Sequence, residues 1–135
     1  MPQYPVILLP GSVLPAELAY GALLSALGSN VDALAKELEV YAASEPPLDY
    51  TLDVEVDGVL RESATLGWDR FHLVGYSGGG ASALGFGARS DFRLEVFDKR
   101  HHFDPPHRIE PERLADSLIA PWKRAEESIL ADAQA

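Results

Sequence analysis

The chain has 135 residues and a formal net charge of −10, from 21 acidic and 11 basic side chains. A length of this order fits one domain with a real core, and the acidic balance argues against nucleic acid and anionic membranes, whose phosphates would be repelled. No run approaches the roughly 20 apolar residues of a membrane span, and the absence of cysteine excludes disulfides, thiolate nucleophiles and cysteine-ligated metals.

Met1 to Pro5 has no basic region and does not read as a secretory signal, and the lack of cysteine fits a cytoplasmic protein. Val6-Ile7-Leu8-Leu9 is then a continuous apolar run ended by Pro10-Gly11. Short and partly β-branched, it reads as a buried strand of a parallel sheet. Leu14 to Leu27 is rich in Ala and Leu at near-helical spacing, with Gly28 as its stop. A short helical turn and a strand around Leu38-Glu39-Val40-Tyr41 are expected next, then a loop at Ser44 to Pro47. Tyr50 to Leu66 satisfies two periods. Leu52, Val54 and Val56 alternate with acids, and Asp57-Gly58 suits a hairpin, yet Leu52, Val56, Val59, Leu60 and Ala64 also fall on one helical face. Helix is the expectation, because the next apolar run, Phe71 to Gly75, then becomes a parallel strand reached by a crossover.

That strand runs into Gly75-Tyr76-Ser77-Gly78-Gly79, and a helix is expected from about Gly79 to Ala88. Strand, G-x-S-x-G, helix is the layout of a nucleophile elbow. A serine in so tight a turn points its hydroxyl out of the sheet. The residues two before and two after it crowd each other, so both must be tiny. The following helix aims N–H groups and a positive dipole end at any oxyanion formed there. Phe92 to Phe97 alternates as a further strand, and Asp98 to Glu110 reads as a loop holding His101, His102 and His107. Pro111 suits the first turn of a last helix, whose stripe is Leu114, Leu118, Trp122, Ala125 and Ile129, with Pro121 expected to kink or split it. The alternation indicates an α/β fold, a three-layer sandwich with about four parallel strands centred near Leu8, Val40, Val74 and Val96, forming one domain over residues 1–135. The Val74 strand is expected between those of Leu8 and Val96.

These blocks resemble the α/β-hydrolase family in the family's own order. Val6 to Gly11 is similar to its strand before the oxyanion loop, Trp68 to Gly80 to its strand and elbow. Leu94 to Phe97, His101-His102-Phe103 and Glu110 to Leu114 are similar to its last strand, histidine loop and last helix. The family's opening strands are not matched. Neither is the segment between the nucleophile helix and the histidine strand, so the chain reads as a shortened member, or as one written without an internal segment. The resemblance implies Ser77 as nucleophile and His102 as base, with His101 as a lesser alternative. It implies an oxyanion hole from the backbone of Gly78 and of Ser12 or Val13, a small ester or acyl substrate, and no metal or organic cofactor. Ser77 and His102 should then share the carboxyl edge of the sheet, within hydrogen-bond reach directly or after a modest loop movement. No residue matches the family's acid; Asp98 and Asp104 flank the histidines. His107 is expected to face solvent, and His72 to be a satisfied structural histidine. A short sheet leaves an edge to cover, so a homodimer is expected, with exchange of the C-terminal strand and helix as one form.

Two other readings stand beside this one. Gly75 to Gly80 is one substitution from G-x-G-x-x-G, with Asp98 at the distance of a ribose-binding acid, as in a Rossmann-like nucleotide binder. A hydrolase-derived chain without activity is the other.

Overall fold

The computed structural model describes residues 4–11, 14–42, 49–88 and 106–134. Among them the elements are β1 (Val6–Leu9), α1 (Ala16–Leu27), β2 (Ala33–Ala35), α2 (Glu39–Ala42), α3 (Leu52–Leu66), β3 (His72–Gly75), α4 (Gly78–Ala88), α5 (Pro106–Ile109) and α6 (Pro111–Gln134). The three strands form one parallel sheet in the order β2-β1-β3. Ile7 stands opposite Leu34 on one side and Leu73 on the other.

Central position explains why all four β1 residues are buried and apolar. Val6 and Leu8 face Ala19, Tyr20, Leu23 and Leu27 of α1 and Ala115, Leu118 and Trp122 of α6. Ile7 and Leu9 face the other way, toward Leu38 and Val59 of α3, with Trp68, Phe71, Leu73 and Phe86 packed around them. Helices therefore cover both faces. Burying a side chain such as Leu118 or Trp122 contributes about 2 kcal/mol or more.

The segment with two possible periods is helix α3. It ends at Gly67, a left-handed residue (φ 73°) that lets Trp68 N–H reach the Ser63 carbonyl at 2.8 Å. The strand expected around Val40 is not there: β2 is Ala33–Ala35, and Val40 lies in the one-turn helix α2. The cause is a distant side chain. The Glu55 carboxylate of α3, buried at 2 % exposure, accepts the N–H groups of Glu39 (3.0 Å) and Val40 (3.2 Å), and so holds the start of a helix. Replacing Glu55 with Ala leaves those donors without their charged acceptor. We expect a loss of about 2–4 kcal/mol in urea unfolding, and a smaller loss for Glu55→Gln, which keeps one acceptor oxygen.

Within the stretch expected as a loop up to Glu110, residues Pro106–Ile109 form the short helix α5. Pro121 does not split the last helix, which runs unbroken through it. Its amphipathic stripe lies on the sheet and α1, and that packing outweighs the one backbone hydrogen bond proline cannot make. His72 is satisfied as expected: its Nε2 lies 2.7 Å from Glu126 Oε2, and its ring stacks on Trp122 at 5.3 Å. Burial lowers the His72 pKa, and the Glu126 partner works in the opposite direction. The fourth strand around Val96 and the junction at residues 88–91 lie outside the described residues. No helix among the described residues is long and apolar enough to cross a membrane.

Candidate functional site at the carboxyl edge of β1 and β3

β1 leads into α1 on one face of the sheet, whereas β3 leads into α4 on the other. The two connections leave neighbouring strands toward opposite faces, which makes the carboxyl edge of β1 and β3 a topological switch point. Such switch points are where α/β sheets place their ligands. Two turns meet there, Pro10-Gly11 after β1 and Tyr76-Ser77 after β3.

Ser77 is the one non-glycine residue with positive φ, at 56°, among the described residues. The left-handed conformation costs a side-chain-bearing residue about 1–2 kcal/mol. It persists here because the surroundings dictate it. Tyr76 N–H donates to the Leu9 carbonyl (3.3 Å), Gly79 N–H to the Tyr76 carbonyl (3.0 Å), and Ala81 N–H to the Ser77 carbonyl (3.1 Å). Neither flanking glycine has room for a Cβ. One added at Gly75 would lie 2.6 Å from Gly79 C and 2.8 Å from Gly80 Cα. One at Gly79 would lie 2.7 Å from Leu9 C. The Ser77 side chain is exposed, Gly78 opens α4, and Gly11 passes so close that a Cβ on it would sit 3.2 Å from both Ser77 Cβ and Tyr76 Cδ1. The strand, strained serine, tight glycines and helix start of an elbow are all present.

Of the other expected site residues, Gly78 is placed beside Ser77 at the helix start. Ser12, Val13, Asp98, His101, His102 and Asp104 lie outside the described residues.

His107 departs from expectation. It does not face solvent: it is 4 % exposed, and its ring lies between Tyr20 (centroids 4.9 Å apart) and Tyr76 (4.8 Å, edge-on). Tyr20, itself buried, donates its hydroxyl to the Leu9 carbonyl at 2.6 Å. Burial, aided by Tyr76, pushes the Tyr20 phenol far above its ordinary range and keeps it a donor. For His107, burial first and Arg108 second lower the pKa to about 4. The neutral ring is therefore the form that fits. As pH falls, the unfolded chain takes the proton first, near the ordinary value of about 6.5. Stability from this ring is complete above that value and is lost as pH falls toward 4, by at most about 3 kcal/mol. Chemical unfolding of wild type and His107→Phe across this window should show the wild type losing stability relative to the variant.

Sequence reasoning missed this ring cluster. A tyrosine at position 20 on the apolar face of α1 signals a buried hydroxyl needing an acceptor. Nothing local announces that His107 fills the space beside it.

Comparison with protein-family models, with curated proteins and with solved structures finds no match to this chain.

A depression of about 310 Å³ lies beyond β2, lined by Leu34, Lys36, Glu37, Glu39 and Arg61 among others. Its cations are turned onto Glu39, Lys36 at 3.2 Å and Arg61 in closer contact. Among the described residues no cluster of three His, Cys, Asp or Glu side chains is arranged to hold a metal ion.

Proposed function

We propose that the chain is a serine hydrolase of the α/β-hydrolase type, shortened between its nucleophile helix and its histidine strand, acting on small esters. The observation that carries this reading is Ser77 held at φ 56° between two glycines that admit no Cβ, at the end of a parallel strand and the start of a helix. A generic glycine-rich turn has no need to hold a serine there. A G-x-G-x-x-G turn calls for glycine at that position so that backbone can approach a pyrophosphate; an exposed hydroxyl serves a nucleophile instead.

In the mechanism, Ser77 Oγ attacks the acyl carbon while a histidine takes its proton, and the alcohol leaves with that proton returned to it. Water, deprotonated by the same histidine, then releases the acid. The Gly78 N–H is one donor to the oxyanion, and the backbone of Ser12 or Val13 the other. His102 is the proposed base. A homodimer belongs to the proposal as well; sedimentation as a 14.6 kDa monomer at micromolar concentration removes that part.

A fluorophosphonate probe tests the reading. We expect one covalent adduct, on Ser77, absent from Ser77→Ala. A folded wild-type chain that takes no adduct leaves the inactive, hydrolase-derived reading or the nucleotide-binding one.

A further inference from the structure

We propose that His107 is a positioning residue for Ser77, acting through Tyr76. The proposal rests on the reading of Ser77 as nucleophile, and it assigns His107 the work of holding the elbow rather than of moving protons.

The geometry forms a closed ring of contacts. The His107 ring meets Tyr20 on one side and the Tyr76 ring edge-on at 4.8 Å. Tyr20 and Tyr76 are joined a second time at the Leu9 carbonyl, which accepts the Tyr20 hydroxyl at 2.6 Å and the Tyr76 N–H at 3.3 Å. Tyr76 is the residue before Ser77, and its carbonyl accepts the Gly79 N–H at 3.0 Å. Tyr76 is thus fixed at its side chain by α5, at its N–H by β1 and at its carbonyl by α4. Gly11 packs against both the Tyr76 ring and Ser77 Cβ, so a tilt of that ring is felt directly at the serine.

Ser77 occupies a disfavoured backbone region, so any slack in Tyr76 lets the turn relax toward φ below zero. A relaxed turn moves Oγ. Displacements of about 1 Å at a reacting group cost on the order of 100-fold in rate. The ring must therefore be flat, buried and uncharged, and a buried neutral His107 meets each condition. Phenylalanine would meet them too, whereas alanine would leave a gap beside both tyrosines. A proton-transfer role predicts the opposite ranking for the phenylalanine variant.

The test compares wild type, His107→Phe and His107→Ala by two readouts. One is the second-order rate of fluorophosphonate labelling at Ser77; the other is amide hydrogen exchange at Ser77 to Gly79, referenced to amides of α3. We expect His107→Ala to label about 10- to 100-fold more slowly, with exchange faster at Ser77 to Gly79 and unchanged in α3. We expect His107→Phe to stay within about threefold of wild type in both. Wild-type behaviour of His107→Ala overturns the proposal, as does equal loosening of α3, which marks a general loss of stability, or slow labelling of a well-folded His107→Phe. If His107→Ala does not fold, His107→Leu takes its place, filling volume without a flat ring, with the same expectations. If wild type takes no label, the hydrolase reading fails, and the exchange data decide alone. Loosening confined to Ser77–Gly79 supports the positioning role, and its absence overturns it.

Discussion

Gly75→Ala should lose the elbow, although it adds one methyl group. That methyl would sit 2.6 Å from Gly79 C and 2.8 Å from Gly80 Cα, both backbone atoms. A flexible side chain can swing aside; the first turn of a helix cannot. Relief requires α4 to shift away from β3, and α4 is held in turn by its close packing on α3, where Gly85 faces Leu52 and Val56. Overpacking of this kind costs about 1–3 kcal/mol, and a clash with backbone belongs at the upper end or above. We expect a clearly lowered urea midpoint together with loss of fluorophosphonate labelling. Gly80→Ala serves as the control. A Cβ there has nothing closer than the Gly75 carbonyl oxygen at 3.7 Å, so stability and labelling should be retained. Equal stability and equal labelling of Gly75→Ala and Gly80→Ala would refute the crowding argument.

Ser77→Gly should gain stability while losing the proposed nucleophile. Glycine enters the left-handed region without penalty, so the residue at φ 56° is relieved of about 1 kcal/mol. On the proposed hydrolase reading, loss of the serine nucleophile costs on the order of 10⁶ in kcat. Ser77→Ala separates the two effects, because it removes the hydroxyl and keeps the strain. The expected order of unfolding midpoints is Ser77→Gly above wild type, with Ser77→Ala near wild type. An order with Ser77→Gly below both would mean that the backbone there is not strained. A gain in stability on removing a residue is the signature of a position kept for function rather than for folding.

The elements whose physics is local were legible in the chain. β1 is an unbroken apolar run, and the elbow states its geometry in its glycines. α3 was decided by asking how the next strand is reached. The stripe of α6 places Leu118 and Trp122 in the core. What was hidden depends on partners far along the chain. Val40 is helical because Glu55 reaches it, and β2 is three residues of ordinary apolarity that only pairing with β1 makes a strand. His107 looked like a loop residue beside prolines. It is buried because two tyrosines, one of them 87 positions earlier, leave a slot of its shape. The proton acceptor and the second oxyanion donor, expected at His102 and Ser12, lie outside the described residues.

The helix starts have a kinetic consequence. α1 follows Pro15 with no side-chain cap of its own, and its Ala16 N–H is bonded instead by Glu37, 21 residues later. α2 takes its acceptor from Glu55, 16 residues from Glu39. In each helix a carboxylate distant in sequence takes up a first-turn N–H that has no partner within the helix, so this stabilisation is added only when the chain after β2 or α3 is in place. Peptides spanning either helix should stay coil, and the two helices should consolidate late, after the rate-limiting barrier, with low φ-values for Glu37 and Glu55. The two carboxylates thereby tie the start of α1 to the chain that follows β2, and the start of α2 to the placement of α3.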